Sequence, residues 1–307
     1  MIPLRPRVSV ILPAYYSQDT IEACLEGLQT QTFRDFETIL VNSSPEGRTG
    51  QIVTTRFPEV VFVQSPVRLL PHAARNYGVS LARGDLLVFT DPDCCARPYW
   101  LARIVEAHDA GHPVVGGSMG LVSPRWLECG IHLCKFFWLL TGLPAGPRQV
   151  ICTANASYSR AVWEIIGPFD GNLFTGDAML SMRAAAQGFQ PWFEPRAIVE
   201  HRHEGNLSFY WHQFLMRGRE FAGARARLEE WSRWRAAAYF ALLPGLILLV
   251  LMRAGRHALR SGWGLQFVLT LPIQFVCRLA WSLGEARTHW TLVLRGGASG
   301  SNRQGSA

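Results

Sequence analysis

Short apolar runs alternate with helical patterns through the first ninety residues, and this rhythm constrains the fold more than any other feature. A β-branched run at residues 8–12 ends at Pro13, and apolar residues at helical spacing follow it. This succession of an apolar run and a helical pattern repeats along the chain as far as a fully apolar run at residues 86–89. Strands and helices in this order form a parallel sheet covered by helices. The sequence therefore predicts an α/β fold with a Rossmann-like, mostly parallel sheet.

Polar or turn-forming residues stand directly after the predicted strands. They are Pro13, Ala14 and Tyr15, then Asn42, and then the pair Asp91 and Asp93. Ligands of such sheets bind at the carboxyl ends of the strands, so we expect these residues to share one site. The strand-to-helix turns carry neither GxGxxG nor GxxxxGK[ST], which argues against a dinucleotide dehydrogenase and a P-loop NTPase.

Asp91 and Asp93 flank a proline at the end of a buried strand, so both carboxylates can reach one pocket. Carboxylate oxygens of this kind suit Mg²⁺ or Mn²⁺, which share their coordination with substrate phosphates. The alternative is that each aspartate only forms an Asx turn or caps a helix. The tripeptide alone does not choose between these interpretations.

Over about residues 7 to 220 the chain resembles the family 2 glycosyltransferases of the GT-A fold. The resemblance rests on an ordered series: VSVILPAY at 8–15, ARNYG at 74–78, ARGD at 82–85, FTDPD at 89–93, GPFD at 167–170, GD at 176–177 and VEH at 199–201. It implies transfer of a sugar, hexosyl or related, from a nucleotide-diphosphate donor of the UDP- or GDP-sugar class.

The resemblance also implies a nucleotide pocket, a metal site and a catalytic base. The donor-binding residues would be Pro13, Ala14, Tyr15, Asn42, Arg75 and Asp91. Asp93 and His201 would hold Mn²⁺ or Mg²⁺, although His203 is close enough in sequence to replace His201. Asp177 would take the proton from the acceptor hydroxyl, which implies direct displacement with inversion. The alternative role for Asp177 is a helix N-cap.

The sequence departs from the family pattern at two positions. Asn42 stands where the family commonly has an acidic residue, so a hydrogen bond to the base would lack the help of a charge. Gly176 replaces the glutamate that usually precedes the catalytic aspartate. Processive members carry QxxRW, whereas Gln213 and Arg217 have a different spacing and no tryptophan follows, so we expect transfer of one sugar or few.

The charge balance is cationic, with 30 Lys plus Arg against 23 Asp plus Glu, a formal net charge of +7. This suits anionic partners such as nucleotide diphosphates or phospholipid head groups, and no motif indicates nucleic-acid binding. The seven cysteines form no CxxC pair, so we interpret them as reduced thiols of a cytosolic domain. The first residues lack the apolar stretch of a signal peptide, so we expect the catalytic part to lie in the cytoplasm.

Two uncharged runs, at 236–252 and 262–277, are slightly shorter than the roughly 20 residues that span a bilayer. Each contains a proline, and arginines precede the first run and occupy the predicted connecting loop. Three interpretations stay open: a re-entrant or interfacial hairpin, two transmembrane helices, or buried core or dimer helices. We favour membrane association at the inner face of the cell membrane, with a lipid-linked, cell-envelope or glycan acceptor.

These observations predict a GT-A domain at residues 1–230, a membrane-associated helical hairpin at 231–290 and a disordered tail at 291–307. The sequence does not indicate an oligomeric state. Two other functions stay open. A sugar nucleotidyltransferase would ordinarily show a glycine-rich basic loop after the first strand, where this chain has Pro13-Ala14-Tyr15-Tyr16. A degenerate, non-catalytic membrane scaffold is suggested by Asn42 and Gly176.

Overall fold

The structure is a computed structural model that describes residues 5–295, which form a nine-stranded sheet and eleven helices. The strands are β1 Val8–Ala14, β2 Phe36–Asn42, β3 Val61–Gln64, β4 Leu86–Thr90, β5 Cys94–Ala96, β6 Val114–Leu121, β7 Gly146–Pro147, β8 Asn155–Ser159 and β9 Trp192–His201. The helices are α1 Ile21–Gln29, α2 Arg48–Arg56, α3 Pro71–Leu81, α4 Trp100–Asp109, α5 Trp126–Phe136, α6 Arg160–Ile166, α7 Gly176–Ala186, α8 Leu207–Leu228, α9 Arg233–Arg260, α10 Gly264–Leu269 and α11 Leu271–Arg295.

The sheet has the strand order β3-β2-β1-β4-β8-β6-β9-β5, and β7 pairs with β9. From β3 to β4 all neighbouring strands are parallel. Every residue of β1 is buried, as expected for a central strand with helices on both faces. The predicted α/β fold with a mostly parallel sheet is confirmed.

Helix α3 shows how closely the helices cover the sheet. Pro71 occupies its first turn, where a missing N–H costs nothing. A Cβ on Gly78 would lie 2.5 Å from Cγ2 of Ile11 on β1, so only glycine allows this approach. The short distance fixes α3 against β1 and thereby places Arg75, which lies on the same helix.

The second half of the sheet is mixed. β8 runs antiparallel to both β4 and β6, whereas β6 and β9 are parallel with a register shift between Gly117 and Ser118. The short strand β5 pairs antiparallel with β9, and Cys94 is the register partner of His201. This pairing brings residues far apart in sequence to one point.

The described chain divides into two compact units, 5–122 with 139–202 and 123–138 with 203–295. The first contains the sheet, and the second contains α5 and helices α8 to α11. The domain boundaries at residues 230 and 290 stay predictions. Helix α11 continues to Arg295, so residues 291–295 of the predicted disordered tail are helical, and the rest of that tail lies outside the described residues.

The C-terminal helices differ from expectation in two ways. The three arginines assigned to a connecting loop, Arg253, Arg256 and Arg260, lie within α9. The second apolar run does not form one helix, because α10 ends before Thr270 and α11 begins at Leu271. Pro272 therefore stands in the first turn of a helix, where proline is tolerated, rather than in a helix centre.

Glycines allow helices α8 and α11 to touch along their backbones. A Cβ on Gly284 would lie 2.1 Å from the Leu215 carbonyl oxygen, and one on Gly218 would lie 2.2 Å from the Trp281 carbonyl oxygen. We expect Gly284→Ala to lower the free energy of unfolding by about 1–3 kcal/mol through overpacking. Thermal unfolding measures this loss.

Gly245 provides the matched control, because it also lies in a long helix and a Cβ there meets no atom within 4 Å. Gly245→Ala should be neutral or stabilising by up to about 1 kcal/mol through helix propensity. Equal effects of the two alanines would contradict the close packing of α8 on α11.

Candidate active site

The carboxyl ends of three adjacent parallel strands form one edge of the sheet. Ala14 at the end of β1 is the register partner of Asn42 at the end of β2, and the Ser43 N–H donates to the Ala14 carbonyl at 2.9 Å. β4 lies on the other side of β1 and leads directly into Asp91. The structure therefore brings the predicted donor-binding residues that follow these strands to the same edge.

Asn42 is completely buried, and its side chain is already used within the protein. Its Nδ2 donates to Oε1 of Gln64 at 2.8 Å, and its Oδ1 accepts from the Ser44 hydroxyl at 2.7 Å. These bonds tie β2 to the loop that follows and to β3. Tyr15, by contrast, is 39% exposed, and the Arg68 guanidinium lies over its ring at 4.7 Å. Of these two predicted pocket residues, Tyr15 is therefore the one whose side chain reaches solvent.

Arg75 and Asp91 form an ion pair at this edge. The Arg75 side chain is only 3% exposed, its Nη2 bonds Oδ1 of Asp91, and its Nη1 lies 3.3 Å from Nδ1 of His72. Asp91 keeps 27% of its side chain exposed. The arginine is therefore held in place by the protein, while the carboxylate still reaches solvent.

We expect Asp91→Ala to lower the free energy of unfolding by about 3–5 kcal/mol, because it leaves the Arg75 charge buried without its partner. Denaturant unfolding measures this change. Asp85→Ala is the control, since Asp85 pairs with Arg5 at 2.7 Å on an exposed surface and such pairs contribute about 0–1 kcal/mol. A loss for Asp91→Ala no larger than that of the control would show that the pair does not stabilise the fold.

Asp93, Cys94 and His201 form a candidate metal centre. Nε2 of His201 lies 3.5 Å from Oδ2 of Asp93, and Sγ of Cys94 lies 3.7 Å from Oδ1 of the same carboxylate. One donor atom from each residue lies within 4.8 Å of the others, a spacing that one cation can bridge. Burial, and then the nearby Asp93 and Asp91 charges, raise the pKa of the Cys94 thiol well above its usual value. The three side chains fit a divalent cation.

Strand pairing decides which histidine reaches the carboxylate. His201 ends β9 opposite Cys94, and the Arg202 N–H donates to the Asp93 carbonyl at 2.9 Å. His203 belongs to the other unit, where its Nε2 lies 3.1 Å from Nδ1 of His132. The structure thus brings His201 together with Asp93, and their role in metal binding stays a prediction.

Asp177 lies in the first turn of α7, and the N-cap of that helix is Thr175. The alternative interpretation of Asp177 as the N-cap is therefore wrong by two positions. Its Oδ1 accepts a hydrogen bond from the Ala178 N–H at 2.8 Å, where the helix dipole also favours a carboxylate. Burial, and then the Asp177 charge, raise the pKa of Tyr158 on β8.

Sequence reasoning missed His72, which takes part in the same region. His72 is buried, its ring packs against Phe169 at 4.7 Å, and a Cβ on Gly176 would lie 2.7 Å from its Cδ2. Glycine at position 176 thus leaves space for the imidazole, and a glutamate there would collide with it. Glycine in place of the family's glutamate at position 176 was the one sequence signal of this contact. The sequence did not indicate that His72 is the residue packed against it.

The mostly parallel sheet flanked by helices agrees with the GT-A fold that the sequence resemblance implied. The family model described as glycosyl transferase family 2 matches residues 9–164, about half of the chain. The chain belongs to glycosyl transferase family 2, and it is a glycosyltransferase. The match ends before Asp177 and His201, so it does not assign their roles.

Known proteins agree with this family. The glycosyltransferase AglE of Haloferax volcanii is 25% identical over 302 residues, covering 91% of this chain and 95% of that protein. The mannosyltransferase PcManGT from Pyrobaculum calidifontis, solved with GDP-Man and Mn²⁺, is similar in structure with a TM-score of 0.52 at 20% identity, covering 89% of this chain and 88% of that one. S. aureus TarS, solved with UDP-GlcNAc, has a TM-score of 0.53 at 16% identity, covering 93% and 92%. These structural likenesses show the fold.

Proposed function

We propose that this chain is a metal-dependent, inverting and non-processive glycosyltransferase that moves a sugar from a nucleotide-diphosphate donor to an acceptor hydroxyl at a membrane. The observation that carries the proposal is the juxtaposition of Asp93 and His201, 3.5 Å apart, just beyond β4, the strand that leads into Asp91. Carboxylate and imidazole donors beside a guanidinium suit a metal-bound diphosphate. Membership of the family supports the transferase over the nucleotidyltransferase alternative.

The donor would lie along the edge built by Pro13, Ala14, Tyr15 and Asn42. Pro13 and Ala14 offer backbone and small side chains, and the exposed Tyr15 ring offers a face for packing. Because the Asn42 amide is buried and bonded to Gln64 and Ser44, we propose that it shapes this pocket rather than forming a hydrogen bond with the base. Relatives of this fold bind GDP-Man and UDP-GlcNAc, which supports a donor of the same chemical class.

Asp91 and Arg75 would meet the ribose or the diphosphate. Arg75 is held rigidly by its contacts with Asp91 and His72, so its position does not depend on the ligand. Asp93 and His201 would hold Mn²⁺ or Mg²⁺, which supplies Lewis-acid stabilisation to the leaving diphosphate. Preorganised charges of this kind cost little reorganisation during the reaction.

Asp177 would accept the proton of the acceptor hydroxyl. Its position in the first turn of α7 fixes the carboxylate through the Ala178 N–H, and a base of this type contributes about 10²–10⁴-fold to a rate. A single base on the face opposite the leaving group gives direct displacement with inversion. Gln213 and Arg217 lie on α8 without the tryptophan of the processive motif, which supports transfer of one sugar or few.

The membrane part of the proposal rests on α9. Among residues 5–295, this is the one helix long and apolar enough to cross a membrane by length and composition. It presents Phe240, Leu242, Leu248 and Met252 to the exterior, and Trp234 near its start is 72% exposed. A lipid-linked or cell-envelope acceptor at the inner face of the cell membrane would place the reaction beside this surface.

The experiment that tests the donor and the metal together is calorimetric binding of a panel of UDP- and GDP-sugars, with Mn²⁺ and after chelation. We expect one donor class to bind, and to bind more weakly once the metal is removed. Transfer to lipid-linked acceptors then identifies the product. We expect NMR to show that the anomeric configuration of the transferred sugar is inverted relative to the donor. Donor binding that is unchanged by chelation would contradict the proposed metal site.

The exposed apolar residues of α9 are expected to bind a membrane, and this can be tested separately from catalysis. Leu242 and Leu248 are 60% and 59% exposed, and an aspartate at the centre of a membrane helix costs about 2.5–3.5 kcal/mol. We expect Leu242→Asp with Leu248→Asp to lower binding to anionic vesicles at least about 100-fold in a flotation assay. The control is Ile165→Asp on α6, which is 61% exposed and should float like the parent. Equal flotation of both variants would exclude α9 as the contact.

A further inference from the structure

The metal centre contains a thiol beside its carboxylate and imidazole. We propose that Cys94 is a third protein ligand of the metal, and that its sulfur gives the site a preference for the thiophilic ions Zn²⁺, Cd²⁺ and Co²⁺ over Mg²⁺. This inference rests on the proposed metal site at Asp93 and His201. It goes beyond that site because it adds a ligand and changes which ions the site selects.

The backbone places the sulfur at the site. Cys94 on β5 is the register partner of His201 on β9, and opposite residues of an antiparallel pair project to the same face with Cβ atoms about 4.5–5.5 Å apart. Asp93 precedes Cys94 directly, and its carbonyl accepts the Arg202 N–H at 2.9 Å. The two strands therefore fix all three side chains around one point.

The distances fit coordination by one ion. Zinc bonds of about 2.3 Å to sulfur and about 2.0–2.1 Å to nitrogen or oxygen, at a tetrahedral angle, place neighbouring donors roughly 3.3–3.6 Å apart. The structure has 3.5 Å between Nε2 of His201 and Oδ2 of Asp93, and 3.7 Å between Sγ of Cys94 and Oδ1 of the same carboxylate. One donor atom from each of the three residues lies within 4.8 Å of the others. Small adjustments bring these donors onto one cation.

Burial gives the centre a closed side and an open side. Cys94 is 2% exposed and the His201 side chain 5%, whereas the Asp93 side chain is 37% exposed. A site with protein donors on one side and an accessible carboxylate on the other keeps positions for ligands from outside, as catalytic metal sites do. Oxygens of a donor diphosphate could complete the shell there.

Ligand chemistry decides the ion. Thiolate sulfur favours zinc and other soft or borderline ions, whereas Mg²⁺ prefers an all-oxygen shell with several waters. When the metal binds, a metal–sulfur bond forms, the S–H bond breaks and the proton passes to solvent, with no change of oxidation state. The order of affinity for divalent ions then rises from Mn²⁺ through Co²⁺ towards Zn²⁺.

The test is Co²⁺ titration of the full chain, because a thiolate ligand adds a sulfur-to-cobalt charge-transfer band that oxygen and nitrogen ligands do not give. We expect the band in the parent protein and its loss in Cys94→Ser, with the weaker d–d bands retained. Even changes in the second shell of metal sites alter affinity about 10–100-fold, so Cd²⁺ binding should weaken by about tenfold or more. Mn²⁺ binding, followed by electron paramagnetic resonance, should weaken less than Cd²⁺ binding.

Two other cysteines serve as matched controls. Cys95 is the next residue of β5, and its side chain projects to the opposite face by the two-residue period of a strand. Cys24 is a buried thiol on α1 whose Sγ lies 3.4 Å from the Asp91 carbonyl oxygen. Both Cys95→Ser and Cys24→Ser should keep the band. Loss of the band in either control, with retention in Cys94→Ser, would overturn the proposal.

The remaining outcomes separate this inference from the proposed function. Co²⁺ binding to the parent that Asp93→Asn removes, but that shows no sulfur band, would overturn the thiolate ligand and leave the metal site in place. Co²⁺ binding that Asp93→Asn does not weaken would overturn the metal site and the inference together. Circular dichroism of each variant checks that the fold is intact.

Discussion

Asp177→Asn is expected to lower kcat for sugar transfer by about 10²–10⁴-fold while donor binding stays at the parent level. The amide keeps the size of the carboxylate and can still accept the Ala178 N–H, which lies 2.8 Å from Oδ1. It cannot take a proton from the acceptor hydroxyl. The measurement is transfer under saturating donor, together with calorimetric donor affinity.

Asp177→Asn could also lower activity by destabilising α7, because Asp177 lies in the first turn of that helix. Thermal unfolding tests this explanation. A first-turn carboxylate stabilises a helix by about 0.3–1 kcal/mol, so Asp177→Asn should lower the Tm only slightly if the charge acts on the dipole of α7. Such a loss leaves the protein folded and cannot account for a rate change of several orders of magnitude. Glu164→Gln, an exposed carboxylate on the neighbouring α6, is the control and should change neither quantity. Transfer at the parent rate by the Asp177→Asn variant would remove Asp177 as the base, whereas the scaffold alternative requires that the parent protein itself transfers no sugar.

Asp93→Asn is the second large change. It replaces a charged oxygen donor at the proposed metal centre with a neutral amide beside His201 and Cys94. We expect metal binding to weaken strongly and transfer to fall by about 10²-fold or more, because the Lewis acid contributes several kcal/mol and each 1.36 kcal/mol is tenfold in rate. Mn²⁺ titration by electron paramagnetic resonance and turnover at several Mn²⁺ concentrations measure the two effects.

The control for Asp93 lies one residue from His201 on the same strand. Glu200 pairs with Arg97 at 2.6 Å, and Glu200→Gln removes a carboxylate without touching Asp93. We expect Glu200→Gln to bind Mn²⁺ as the parent does. High Mn²⁺ should rescue part of the Asp93→Asn activity, since mass action compensates for a weaker site. Unchanged Mn²⁺ affinity in Asp93→Asn would place the metal elsewhere.

Local sequence patterns were sufficient for the fold class and the edge of the sheet that carries the site. The apolar run that begins at Val8 forms a strand where its β-branched pattern predicted one. Because parallel strands align their carboxyl ends, the loops at Ala14, Asn42 and Asp91 were expected together, and they lie at one edge. The ordered motifs indicated the family, which the family match confirms.

Sequence patterns did not predict the contacts between segments that are far apart along the chain. Nothing local in the sequence states that β5 pairs with β9, so the approach of Cys94 to His201 depends on strand order and register. The same holds for His72, which fills the space that Gly176 leaves free. Periodicity reports which face of an element is buried, but it does not report the partner against which that face packs.

The sequence by itself determined the alternation of strands and helices, the residues that follow the strands and the membership of a family of sugar transferases. Only the tertiary structure decided that Asn42 is enclosed by Gln64 and Ser44, that Asp177 lies in the first turn of a helix and that the Cys94 thiol lies beside Asp93 and His201. The physical reason is the range of the interactions. Propensity and amphipathic pattern act over a few residues, whereas a site is made where side chains far apart in sequence are brought together by packing.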